Sequence, residues 1–225
     1  MSILEARHVA FRIVTFAIYT IAIWPSVHVA AATNNTGPVY RQPKTPVERR
    51  VRDLLDRMTL EEKARQLDLY AGLTLIDKHA DDTHLAPGAQ FVPAEATATF
   101  GTLGVGGIHD VYCTPEIYNT TQRWVIDHSR LGIPAIFIEE GLHGFSNSLT
   151  SGTVYPQSIN LASTWDPDLA RQTGAGIASE ARASGVDMLL GPVLDVAREP
   201  RWGRVEEDFG EDPYLTGRMG LAYVR

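Results

Sequence analysis

In the stretch IFIEEGLHGFSNS an apolar run ends in Glu139 and Glu140, followed by Gly141, Leu142, His143 and Gly144. A carboxylate has two acceptor oxygens and can take hydrogen bonds from two hydroxyls at once, the chemistry needed to hold a polyol. The flanking glycines allow the backbone to turn tightly. A plainer reading is a solvated loop acid beside a structural histidine, and residue types alone leave both open. The second stretch, AREPRWGRVEEDFGED (Ala197 to Asp212), places Arg198, Arg201 and Arg204 three residues apart among six acids. Unpaired charges in a partly buried loop are costly, so most of these groups must neutralise one another and hold the loop in shape. That leaves one or two arginines for a ligand. Trp202 and Phe209 read as packing anchors, with a stacking platform at Trp202 as the alternative.

Both stretches need a scaffold that brings them together. Each follows an apolar run, Ile133–Glu139 and Val186–Gly191, that reads as a buried strand. Functional groups of parallel α/β folds sit just past the C-terminal ends of such strands. A further strand is expected within Leu103–Ile108. Helices are expected between them: one from Thr114 and Pro115 to Gly132, one from Asp166 and Pro167 to Gly185, and one opening at Asp212–Pro213. Upstream, Thr45, Pro46 and Glu48 spell a capping box, with Val47, Val51, Leu54, Leu55 and Met58 on one helical face. A second box, Thr59 with Glu62, opens another helix whose stripe is Leu60, Ala64 and Leu67. Residues 72–100 read as a loop with helix near PAEATATF. Alternating strands and helices of this kind give an α/β fold. No glycine-rich dinucleotide fingerprint follows a strand, which favours a (β/α)8 TIM-like barrel over an open doubly wound sheet. Such a barrel takes about 250 residues and eight units; three or four units are countable, so an incomplete barrel is expected.

The remaining features exclude more than they assign. The chain has 225 residues and a formal charge of -7, an acidic balance that argues against a nucleic-acid partner. The N-terminus carries Arg7 and Arg12, then the apolar run IVTFAIYTIAIW, then an A-x-A pattern at Ala30 and Ala32. This is the layout of a cleaved signal peptide over residues 1–32, and the run is short for a membrane span. A secreted or periplasmic protein follows, with no membrane attachment after cleavage. Residues 33–44 read as a polar leader and 45–225 as the domain. Cys113 is the single cysteine, so no internal disulfide is available. No H-E-x-x-H, Cys/His ligand cluster, G-x-S-x-G or P-loop occurs, and no metal or organic cofactor is expected.

The pieces MTLEEKARQL, GIPAIFIEEGLHG, YPQSINLASTWDPDL and GPVLDVAREPRWGRVEEDFGEDPYL together resemble glycoside hydrolase family 3, the β-glucosidase and β-xylosidase family. The resemblance runs from near Val47 to Arg225. It implies the N-terminal part of the family's (β/α)8-like domain. It also implies hydrolysis of terminal non-reducing β-D-glucosyl or β-D-xylosyl residues by a retaining mechanism with two carboxyl groups. The substrate would be an oligosaccharide or an aryl or alkyl β-glycoside. Residue by residue, Glu140 matches the family's acid that binds hydroxyls of the terminal sugar, and Arg204 matches its sugar-binding arginine. Arg198, Arg201, Glu207 and Asp212 match scaffold positions, and His143 is read as holding the loop. Many relatives have Asp at the Glu140 position; the longer side chain here would crowd a hydroxymethyl group and keeps xylosides and arabinosides open. The family's nucleophilic Asp, its Lys-His pair and its acid/base come later in its pattern, so no catalytic carboxylate is expected before Arg225. The alternative is a naturally short, non-catalytic sugar-binding or structural protein.

Overall fold

A computed structural model describes residues 37–79, 85–145 and 152–225. The expected signal peptide and the first part of the leader lie outside the described residues. Four short strands form one sheet: β1 (Leu69–Ala71), β2 (Gly107–His109), β3 (Ile136–Glu139) and β4 (Met188–Leu189). They lie in the order β1-β2-β3-β4, and every neighbouring pair is parallel. An open doubly wound sheet reverses its strand order at a switch point; this sheet does not. Consecutive parallel neighbours joined through helices are the geometry of successive barrel units. Just before β2, the Gly106 N–H donates to the Arg65 carbonyl.

Among the described residues, seven α-helices accompany the strands: α1 (Val47–Arg57), α2 (Leu60–Arg65), α3 (Pro93–Phe100), α4 (Pro115–His128), α5 (Ser158–Ala162), α6 (Pro167–Ser184) and α7 (Pro213–Tyr223). The caps of α6 are as its sequence spells them. Asp166 accepts from the Asp168 and Leu169 N–H groups, Pro167 opens the helix and left-handed Gly185 closes it. Asp212 caps α7 through the Tyr214 N–H, and the Thr59–Glu62 box on α2 is complete. Thr114 and Pro115 open α4, but that helix stops at His128, four residues short of Gly132.

Three local expectations need correction. The Thr45 capping box does not form: the Thr45 N–H bonds the Gln42 carbonyl, its hydroxyl faces the Gln42 side chain, and Pro46 takes the N-cap position of α1. The stripes on the first two helices are mostly not core faces, although Met58 is buried and Leu54 half-buried. Val47, Val51, Leu55, Leu60 and Leu67 are all exposed, and Glu62 is the buried residue of α2. Strand β1 and helix α5 also fall where only a helix end and loop were read.

The main core lies between the sheet and helices α3 and α4. Ile108 and Phe137 from the sheet meet Phe100, Ile117, Tyr118, Trp124 and Val125. Tyr118 stands edge-on to Phe137 with ring centroids 4.9 Å apart. A second cluster joins Leu161, Ala162, Ala170, Phe209 and Met219, so it ties the loop after β4 to α5, α6 and α7. The leader's end is fastened too: the Tyr40 hydroxyl and the Arg41 guanidinium both donate to the Leu131 carbonyl.

Candidate functional site

The C-terminal ends of β2, β3 and β4 meet at one mouth. The register places His109 beside Ile138, and Glu139 beside Leu189. Strand β3 delivers two consecutive carboxylates there, and alternation sends them to different surroundings. Glu139 is fully buried, whereas Glu140 is partly exposed. Among the described residues, no hydrogen bond or ion pair reaches the Glu140 carboxylate.

The turn after Glu140 is built by backbone freedom. Gly141 has φ 71° and Gly144 has φ 145°. A Cβ on Gly141 would come within 2.9 Å of Leu189, and one on Gly144 within 2.2 Å of the Thr153 carbonyl. His143 then fastens the loop: its Nδ1 lies 2.7 Å from the Tyr155 carbonyl, and the Tyr155 N–H returns a bond to the His143 carbonyl. That is the loop-holding role read for His143.

The loop after β4 is neutralised in local pairs. Arg201 bonds both oxygens of Glu199 at 2.7 Å. Arg204 directs its Nε and a terminal nitrogen to one Glu207 oxygen, at 2.7 and 2.6 Å. Arg204 is therefore not left without a partner, though its side chain remains 55% exposed. Its guanidinium is held firmly charged by Glu207 first, and then by the nearby Glu140 and Asp195 carboxylates. The fold thus brings Arg204 into the field of Glu140 across 63 intervening residues, which joins the two residues singled out in the sequence. Phe209 is buried against Tyr223, as an anchor should be. Trp202 is 38% exposed, and no ring contact to it occurs among the described residues.

Three features were not legible beforehand. Asp195, after β4, shares the space around Arg204. Asp208 is fully buried with neither oxygen bonded, and burial pushes its carboxyl up from the ordinary range. Glu139 is the third: burial raises its carboxyl to about 7, against the pull of hydrogen bonds from Tyr118, Tyr112 and Val111. An acid in the last position of an apolar strand was the only signal for it. Cys113 is buried and burial raises its thiol, which leaves it unreactive. Among the described residues no group of three His, Cys, Asp or Glu side chains could hold a metal ion. No helix there is long and apolar enough to cross a membrane.

Comparison with known proteins places this geometry. Residues 59–225 match the model of the glycosyl hydrolase family 3 N terminal domain. A periplasmic beta-glucosidase of Salmonella typhimurium is 35% identical over 207 residues, covering 91% of this chain and 24% of the relative. A beta-xylosidase of Formosa agariphila is 48% identical over 101 residues, covering 43% of this chain and 14% of the relative. A solved β-glucosidase from Erythrobacter marinus superposes with a TM-score of 0.66 at 31% identity, over 84% of this chain and 24% of that one. The chain thus spans a quarter or less of the length of each of these relatives.

Proposed function

The chain belongs to glycosyl hydrolase family 3, and we propose that it supplies part of the terminal-sugar subsite of a β-glycosidase. Its four strands and their helices are then part of that family's TIM-barrel-like N-terminal domain. The substrate is a β-D-glucoside or β-D-xyloside cleaved from its non-reducing end. Glu140 accepts hydroxyl hydrogen bonds from the sugar, and Arg204, held in place by Glu207, donates to it. The observation that carries this reading is the convergence of Glu140 and Arg204 at one strand mouth, with the Glu140 oxygens unclaimed among the described residues. A charge on each side lets the site both accept from and donate to the same ring of hydroxyls.

Hydrolysis by the retaining route needs a nucleophilic carboxylate and an acid/base in addition. In this proposal both come from outside residues 1–225, and no metal takes part. The whole protein is exported by way of the N-terminal segment, in keeping with the periplasmic relative. The test is a panel of nitrophenyl glycosides given to the whole protein and to residues 33–225 alone. The whole protein is expected to release nitrophenol from the β-glucoside or β-xyloside, and the isolated chain from neither. Failure of the whole protein on every β-glycoside would sink the reading; turnover by the isolated chain would sink the assignment of the catalytic pair.

A further inference from the structure

Glu139 makes bonds that no sugar subsite requires. Its Oε1 accepts from the Val111 N–H at 3.0 Å, the Tyr112 N–H at 3.2 Å and the Tyr118 hydroxyl at 2.5 Å. One buried oxygen thereby joins three elements: the exit of β2, the first turn of α4 and the end of β3. Its other oxygen is buried with no partner among the described residues. A lone buried carboxylate oxygen is an expensive thing to keep, unless the first oxygen's work requires it.

That work is visible in the backbone it holds. Asp110 and Tyr112 have φ of 54° and 45°, a left-handed conformation that is costly for a tyrosine. Strained residues persist only where the surroundings fix them, and they gather at functional sites. The two N–H groups bound by Glu139 belong to Val111 and Tyr112, inside this strained run. The residue immediately after β3 is Glu140, so a shift of the clamp moves the carboxylate beside it. We propose that Glu139 is a positioning residue: its carboxyl pins the strained exit of β2 to β3 and thereby sets where Glu140 presents its oxygens to the substrate. This rests on the reading of Glu140 as a sugar ligand.

The experiment compares Glu139→Leu, Glu139→Gln and Tyr118→Phe in the whole protein, with KM and kcat for nitrophenyl β-glucoside and β-xyloside. KM of the folded molecules does not depend on how many molecules fold, so a merely structural role lowers apparent kcat and the Tm but leaves KM alone. Glutamine keeps an acceptor oxygen for all three donors; leucine keeps none. The expected result is KM raised about tenfold in Glu139→Leu, since small misplacements near the chemistry are expensive. Glu139→Gln should restore KM to within about twofold of the parent, and Tyr118→Phe, which removes one donor of three, should lie between. Should Glu139→Leu fail to fold, Tyr118→Phe decides. KM unchanged in whichever of Glu139→Leu and Tyr118→Phe folds overturns the proposal even if its Tm falls. A parent protein that cleaves no aryl glycoside overturns the glycosidase reading itself, and this inference with it.

Discussion

Arg130 reaches across from the end of α4 to Glu62 on α2. Its Nε and a terminal nitrogen bond the two carboxylate oxygens at 2.7 and 2.5 Å, and it also donates to the Arg57 carbonyl. Glu62 is buried while Arg130 is half exposed, so water screens one side of the pair. The Arg130 bond is the largest cause that brings the Glu62 carboxyl down to about 2, against burial. A carboxyl whose folded value is depressed contributes stability above its ordinary value, 4.5, and loses it as pH falls toward 2. Arg130→Ala should therefore lower stability near neutrality, as expected when a buried carboxylate loses its partner. The gap between variant and parent should close progressively below pH 4.5. Thermal melts of both proteins at several pH values check this; a gap independent of pH would contradict it. Residue type also decided what was readable in advance. Glu140 and Arg204 were visible as an acid and an arginine at strand mouths. Glu139 and Asp208 were not, because burial of an acid depends on neighbours distant in sequence.

Helix α6 shows how far local chemistry can specify an element. Asp166, Pro167 and Gly185 mark both ends, and the structure starts and stops the helix at those residues. Asp166→Ala removes the acceptor for two otherwise unpaired N–H groups. It should lower stability by about 1 kcal/mol, readable as a denaturant midpoint shift with unchanged slope. No shift would mean that packing of α6 against α7, and not its cap, sets the helix start. Strand β1 was not legible for a physical reason. It contributes three residues to the ladder and leaves Leu69 about half exposed. Such a short piece shows neither alternation nor a long apolar run, whereas β4 lies within the apolar run Val186–Gly191 that marked it. The apolar stripe of α1 misled in the opposite way: its pattern promised burial, but Val47, Val51 and Leu55 are exposed and only Met58 at its end is buried.

At the scale of the whole molecule, parallel pairing was foreseeable from the alternation of strands and helices, and the order β1-β2-β3-β4 accords with barrel units. That Arg204 lies within electrostatic reach of Glu140 was not available from spacing; it follows from β3 and β4 being neighbours in the sheet. That proximity is the centre of the proposed function, in which an acceptor and a donor hold one sugar. The most direct test is a double-mutant cycle in the whole protein, with Glu140→Gln, Arg204→Met and the pair, measured as kcat/KM on nitrophenyl β-glucoside and β-xyloside. Each single change should lower kcat/KM roughly 10- to 100-fold with little change in Tm, as loss of a hydrogen bond to a charged group implies. The double change should lose less than the product of the two, since both residues act on one sugar. Single variants that retain kcat/KM within about twofold of the parent, well short of that loss, would contradict the account.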